Sequence, residues 1–186
     1  MTKLAFAVLL AFPVLALAND TDHAVMNVAL AATAHANHVH HVAPAVVRSN
    51  TSGGADSFAG QWITKVAGDV IGQEIAASYT RGNADQEDVN DFFPRLVKTV
   101  DVDEPYDWSK ISTVFPAANA LMVFSRPAYD SLRSVALVRA DVIPRHGSAT
   151  TTFYEIEHQP DGQWKVRIAA VGAYDSVRRT DTHLAP

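Results

Sequence analysis

The C-terminal part of the chain carries the pattern that most restricts its fold, a series of apolar, β-branched runs separated by turn residues. Four such runs occupy residues 120–126, 134–143, 150–158 and 164–174. The breaks between them begin at Pro127, Pro144 and Pro160, and the last two also contain Gly147 and Gly162. Short breaks of this composition favour antiparallel hairpins. The sequence therefore predicts a four-strand meander, with residues 95–102 as a candidate fifth strand.

Helical patterns precede the meander. From residue 60 to residue 81, apolar side chains recur at spacings of three and four: Trp62, Ile63, Val66, Val70, Ile71, Ile75 and Tyr79. This spacing is typical of one face of an amphipathic helix, and Gly82 suits its C-cap. Shorter helices are predicted before Pro94 and over residues 108–114. The fold class is therefore α+β, with N-terminal helices packed on one face of a curved antiparallel sheet of four to five strands.

The N-terminus has the organisation of a secretory signal peptide over residues 1–18. Lys3 supplies a positive charge, an apolar stretch follows, and Ala16-Leu17-Ala18 forms a cleavage site of the small-x-small type. The alternative is an uncleaved anchor, but the stretch is short against the roughly 20 apolar residues that a membrane span needs. We expect an exported protein, periplasmic or extracellular, with no membrane span after cleavage.

The next segment, residues 19–57, differs in composition from the rest. It has no aromatic residue, contains five of the eight histidines, and ends in a run rich in Ser and Gly. Its Ala-rich part favours a helix, whereas the Ser/Gly run is typical of a linker. The sequence predicts a flexible, partly helical His-rich arm at 19–57, a domain at 58–174 and a loose C-terminal tail at 175–186.

Composition and motifs exclude several classes of function. The chain has no cysteine and a net charge of −5. It therefore has no disulfide, no cysteine nucleophile and no thiolate metal site, and its charge argues against binding nucleic acid. It contains no nucleophile elbow, no phosphate-binding loop and no His-Glu-x-x-His motif.

The expected hairpin register points to one candidate site. A first turn centred between His146 and Gly147 places Arg139 opposite Tyr154, and Asp141 opposite Thr152. These four residues then share the inner face as a pocket, with Asp141 as base or acceptor, Arg139 as anion clamp and Tyr154 as an orienting hydroxyl. The alternatives are a simple ion pair at the sheet edge, or a slip of one residue that turns Arg139 and Asp141 to the other face.

A second turn centred on Asp161 gives a register that can be checked by charge. It places Glu155 opposite Arg167, Glu157 opposite Lys165 and Tyr154 opposite Ile168. Opposite charges on one face and apolar pairs on the other are what a half-buried sheet favours.

A histidine cluster in the arm is a candidate metal site. It consists of His35, His38, His40 and His41. Imidazoles at helical spacing bind Zn²⁺ or Cu²⁺, although no carboxylate lies within the cluster. The alternative is a solvated arm that binds metal weakly. No other cofactor is predicted.

The order of elements over residues 58–174 resembles the NTF2-like (SnoaL-like) cone fold, in which N-terminal helices close one face of a bent sheet. The C-terminal half also resembles uncharacterised small exported bacterial proteins, through Phe124-Ser125-Arg126, Tyr154-Glu155-Ile156-Glu157 and Asp161-Gly162-Gln163-Trp164. Those proteins often carry Cys-Gly near the position of His146-Gly147. The first resemblance implies a sheet that pairs in homodimers and a fold that hosts binding modules, enzymes and partner subunits.

Three functions follow as hypotheses. The favoured one is an exported non-catalytic domain that binds a small ligand or a protein partner. The second is a cone-fold isomerase, cyclase or hydrolase that uses Asp141 with Arg139 or Tyr154. The third is a metal-handling protein that acts through the His-rich arm.

Overall fold

The chain combines three described helices with one mixed sheet. The computed structural model describes residues 5–39, 45–48, 71–85, 88–89, 92–93, 97–103 and 105–173. In chain order the elements are α1 (Ala5–Val39), β1 (Ala45–Arg48), α2 (Ile71–Gly82), β2 (Thr99–Val100), α3 (Trp108–Val114), β3 (Ala120–Phe124), β4 (Ala128–Tyr129), β5 (Val135–Pro144), β6 (Thr150–His158) and β7 (Trp164–Ala173).

The sheet has seven strands in the order β2-β1-β3-β5-β6-β7, with β4 paired beside β5. Strand β1 runs parallel to both β2 and β3, whereas the other pairs are antiparallel. The α+β class is confirmed. The prediction of an antiparallel sheet of four to five strands differs from this mixed sheet, because β1 and β4 come from segments predicted as arm and turn.

Helices cover both faces of the sheet, not one. The even-numbered residues of β5 from Ala136 to Val142 pack in one core with Val25, Met26 and Ala29 of α1. Odd-numbered residues such as Val135 and Leu137 pack under Ile75 and Tyr79 of α2, and Ile111 of α3 packs farther along that side. We call these two sides of the sheet the α1 face and the α2 face.

Polar contacts as well as apolar ones hold α1 on its face. Tyr129 Oη donates to Asp22 Oδ1 at 2.6 Å, and Arg133 pairs with the same carboxylate at 3.2 Å. Farther along, Thr33 Oγ1 donates to Tyr154 Oη at 3.3 Å. The predicted flexible arm therefore supplies two core elements, α1 and β1. The small alanines of this segment favour a helix and let its axis approach the sheet closely.

Several element boundaries agree with the sequence. Helix α3 and strand β6 have the predicted limits, and α2 ends at Gly82 as expected. Strand β2 covers only two residues of the predicted run. The first half of the long predicted helix and the tail at 175–186 lie outside the described residues. Of the short helix predicted before Pro94, residues 83–85, 88–89 and 92–93 are described, and they form turns and bends with a single bridge residue and a single 3₁₀ residue, not an α-helix. Within the described ranges, no helix combines the length and apolarity needed to cross a membrane.

Candidate functional site

The first hairpin differs by one residue from the predicted register. Asp141 pairs with Thr151, Arg139 with Phe153, and Tyr154 with Val138. Arg139 and Asp141 therefore share the α2 face with Thr151, while Thr152 and Tyr154 lie on the α1 face. The predicted register, which placed all four residues on one face, is wrong. The physical reason for the wrong register is that β5 is buried on both faces from Val135 to Val142. Apolar alternation therefore does not fix the register of this strand.

The second hairpin follows its predicted register only near the turn. Ile156 pairs with Val166 and Glu157 with Lys165, as expected. A β-bulge at Glu155/Ile156 then shifts the register, so that Glu155 pairs with Ile168 and Tyr154 with Ala169. Arg167 nevertheless reaches the carboxylate of Glu155 and forms an ion pair with it. A bulge adds one residue to a strand, and a turn-centred count cannot detect it.

An ion pair buried on the α2 face forms the centre of the candidate site. Arg139 Nε donates to Asp141 Oδ1 at 3.0 Å, and Thr151 Oγ1 donates to the same oxygen at 2.7 Å. The side chains of Arg139 and Asp141 are only 7% and 10% exposed. The fully buried Ser125 completes the floor, because its Oγ accepts the backbone N–H of Arg139 at 2.9 Å.

Helix α2 places Tyr79 over this pair. The side chain is fully buried, and its ring meets Phe153 edge-on at 6.4 Å between centroids. Burial raises the pKa of the Tyr79 hydroxyl, while Arg139 and Ser125 oppose that shift. The hydroxyl therefore remains protonated at neutral pH and serves as a neutral hydrogen-bonding group. We call Tyr79, Ser125, Arg139, Asp141 and Thr151 the α2-face cluster.

A buried asparagine fixes the end of α2 beside the cluster. Asn83 Oδ1 accepts the backbone N–H of Arg126 at 2.7 Å, and Asn83 Nδ2 donates to the carbonyl oxygen of Tyr79 at 3.1 Å. Arg126 follows Ser125 directly, so this one side chain links the α2 and β3 sides of the site. Tyr79 is thereby held in a defined position over the sheet.

The cluster buries charged and polar groups in the protein interior, which costs free energy. An ion pair removed from water loses hydration free energy that the mutual attraction often fails to recover, and apolar replacements are often neutral or stabilising. Here a guanidinium, a carboxylate and three hydroxyls lie together, whereas β5 presents only Ala and Val to the opposite face between Ala136 and Val142. Such an arrangement can orient the polar groups of a small molecule.

The two other predicted pocket residues lie beneath α1. Tyr154 contacts Thr33 as described above, and Thr152 is buried two residues away on the same face. Asn37, one helical turn after Thr33, is also buried, and its Nδ2 atom has no hydrogen-bond partner among the described residues. Tyr154 therefore cannot serve as the partner of Asp141.

The predicted histidine site is only partly described. His35 is exposed on α1, His38 lies in the last turn of that helix, and His40 and His41 lie outside the described residues. Among the described residues, no group of three or more His, Cys, Asp or Glu side chains could hold a metal ion.

Sequence reasoning missed most of the site. Helical periodicity places Tyr79 on the apolar face of a helix, and the predicted register excludes Thr151 from the site. Composition places Arg48 in the flexible arm, yet the structure buries it on the α2 face with 3% exposure. There it pairs with Asp103 at 3.5 Å and lies near the ring of Tyr106. The one signal in the sequence was the long apolar run of β5. Read as a strand covered on both faces, it could have suggested that Arg139 and Asp141 lie beneath a second helix.

No family model, curated protein or solved structure matches this chain.

Proposed function

We propose that this protein is an exported domain, periplasmic or extracellular, that binds a small polar ligand at the α2-face cluster without transforming it. The observation that carries the proposal is the desolvated Arg139–Asp141 pair with Thr151 bonded to it. A pair of this kind is a poor source of stability. Its geometry instead supplies donors and acceptors in fixed positions, as a binding site requires.

The electrostatics favour binding over catalysis. A tyrosine that acts as base needs a pKa lowered toward neutrality, whereas burial raises the pKa of Tyr79. Asp141 is already engaged by Arg139 and Thr151. The catalytic alternative that pairs Asp141 with Tyr154 is not supported, because the two side chains lie on opposite faces of the sheet.

Export is supported by the signal-peptide pattern of residues 1–18, which combines Lys3, an apolar stretch and the small-x-small site Ala16-Leu17-Ala18. Asp22, four residues beyond that site, accepts a hydrogen bond from Tyr129 of the sheet. Asn19, Asp20 and Asp22 are also residues that favour a helix start, through capping and through the helix dipole. Cleavage after Ala18 would therefore leave a helix with its own start signals. The NTF2-like resemblance and the homodimer through the sheet stay predictions.

The test compares wild type with the double variant Arg139→Met/Asp141→Leu, which replaces the pair with apolar groups of similar size. Both proteins, beginning at Asn19, are screened against one panel of small polar metabolites by thermal shift, and binders are then checked by NMR. We expect at least one compound class to bind wild type and not the double variant. Equal binding to both proteins, or no binding to wild type, would overturn the proposal.

A further inference from the structure

Glu155 carries a buried acceptor oxygen to which none of the described residues donates. The residue is 2% exposed on the α2 face, and one carboxylate oxygen is engaged by Arg167. The other oxygen, Oε2, is buried, and it has no hydrogen-bond partner within the part of the chain that the structure describes. A buried carboxylate oxygen without a donor is costly, so the geometry favours a donor supplied from outside the chain.

The position of Glu155 places it next to the α2-face cluster. It pairs with Leu137 across β5 and follows Phe153 by two residues on β6, so all three share the face. Arg139 pairs with Phe153 and is thus a diagonal neighbour of Glu155, about 7 Å away at the Cβ level. A molecule of a few ångströms could contact both.

Each charged side chain that is buried on this face has an ion-pair partner among the described residues. The pairs are Arg139 with Asp141, Arg167 with Glu155, and Arg48 with Asp103. A ligand with net charge would add an uncompensated charge to this buried surface, which is strongly unfavourable. A neutral ligand avoids that cost, and it can still donate hydrogen bonds to carboxylates and accept them from hydroxyls.

Aromatic rings lie beside the two polar side chains, Arg139 and Glu155. Phe153 pairs with Arg139 and precedes Glu155 by two residues on β6, and the ring of Tyr79 meets Phe153 edge-to-face. Rings of this kind contact the C–H groups of a molecule whose hydroxyls point to the surrounding polar side chains.

We infer that the ligand of the α2-face cluster is a neutral polyhydroxylated molecule, of the monosaccharide or cyclitol class, one hydroxyl of which donates to Glu155 Oε2. The inference rests on the proposed function and names its ligand class. Glu155 is then a binding residue that sets specificity for neutral donors.

The experiment uses the protein beginning at Asn19 and a matched panel. D-glucose, D-xylose and myo-inositol are the neutral probes, and D-glucuronate and D-glucosamine are the charged counterparts of the first. Binding is followed by ¹H–¹⁵N NMR titration. We expect at least one neutral probe to bind, and the charged forms to bind at least about tenfold more weakly.

Two variants isolate the role of the carboxylate. Glu155→Gln keeps the size of the side chain and should lower the affinity for the neutral ligand about tenfold to a hundredfold. This is the range for a hydrogen bond to a charged group. Glu157→Gln, two residues along the same strand and only half-buried, should leave affinity unchanged. Any folding defect of Glu155→Gln would appear in its NMR spectrum. The ion-pair partner Arg167 is 42% exposed, so water can solvate its guanidinium in this variant.

The outcomes separate this inference from the proposed function. If a charged probe binds more tightly than its neutral form and the Arg139→Met/Asp141→Leu variant loses it, the ligand class is wrong and the site stands. Unchanged affinity in Glu155→Gln would overturn the role of that carboxylate. Absence of binding by every neutral probe would overturn the class, while the broader screen above would still decide the site.

Discussion

The buried pair of Arg139 and Asp141 gives the sharpest stability prediction. Asp141→Asn keeps the shape and the acceptor oxygen but removes the negative charge with which the buried Arg139 guanidinium pairs. Breaking such a pair from one side costs about 3–5 kcal/mol. Because Asn still accepts the bonds from Arg139 and Thr151, we expect the lower end, about 3 kcal/mol, or a melting temperature lower by about 6–12 °C.

Removing both charges should have the opposite outcome. In Arg139→Met/Asp141→Leu no charge remains to be desolvated, so the expected stability ranges from equal to wild type to about 4 kcal/mol higher. The double variant should therefore be more stable than Asp141→Asn. This order of stabilities is the result expected of a pair that does not stabilise the fold.

Urea unfolding followed by circular dichroism measures both changes. Asp161→Asn is the matched control, because Asp161 forms an ion pair of similar length, 2.9 Å, with Lys165 at the exposed second hairpin. That variant should unfold at the wild-type midpoint, since exposed pairs contribute little. A loss in Asp141→Asn no larger than in the control would refute the burial argument. A double variant as unstable as the single one would show instead that the pair is retained for stability.

Three further predictions concern other parts of the structure. Asn83→Ala leaves the backbone N–H of Arg126 without its acceptor and should cost about 1–3 kcal/mol in urea unfolding, whereas the exposed Asp85→Ala should cost nothing measurable. Tyr129→Phe removes the bond to Asp22 and should cost about 1.5–3 kcal/mol; an equal melting temperature for the two proteins would show that α1 is not held there. Asp107 caps α3, and its pKa is lowered mainly by the hydrogen bond from Ser109. The stability that Asp107 contributes is therefore present above its unfolded pKa of 3.8. That stability is lost as the pH falls through the lower folded pKa. Asp107→Asn should therefore flatten the fall in melting temperature between neutral and strongly acidic pH, and an unchanged slope would contradict this.

The sequence predicted the local elements better than their assembly. Turn residues such as Pro144, Gly147 and Gly162 mark the hairpins, and Gly147 and Gly162 both have positive φ values, 108° and 81°, which glycine adopts without strain. These signals act over a few residues and can be read from the chain. The parallel pairing of β1 with β3 has no such signal, because its partners are far apart in sequence.

The sequence predicts the two charged residues of the site but not the residues that surround them. Arg139 and Asp141 were recognised because two charges interrupt an apolar strand, and they do bond to each other. Thr152 and Tyr154 were assigned to them through the register alone. Because β5 is buried on both faces, either register buries apolar side chains on both sides, so the apolar pattern could not choose between the two registers. Tyr79 and Glu155 enter only through tertiary contacts.

The parallel position of β1 has a consequence for the order of folding. The meander β5–β6–β7 closes through turns of a few residues, whereas β1 pairs with a strand that follows far later in the chain. Distant pairings form slowly because a large loop must close first. We expect the meander to form early and β1 to complete the sheet late, together with the helix that precedes it. Core substitutions in β6 should then slow refolding, whereas Val47→Ala should mainly accelerate unfolding, as stopped-flow kinetics would show. Until that last step the apolar side of the meander remains uncovered, so the N-terminal segment acts as the closing element of the chain.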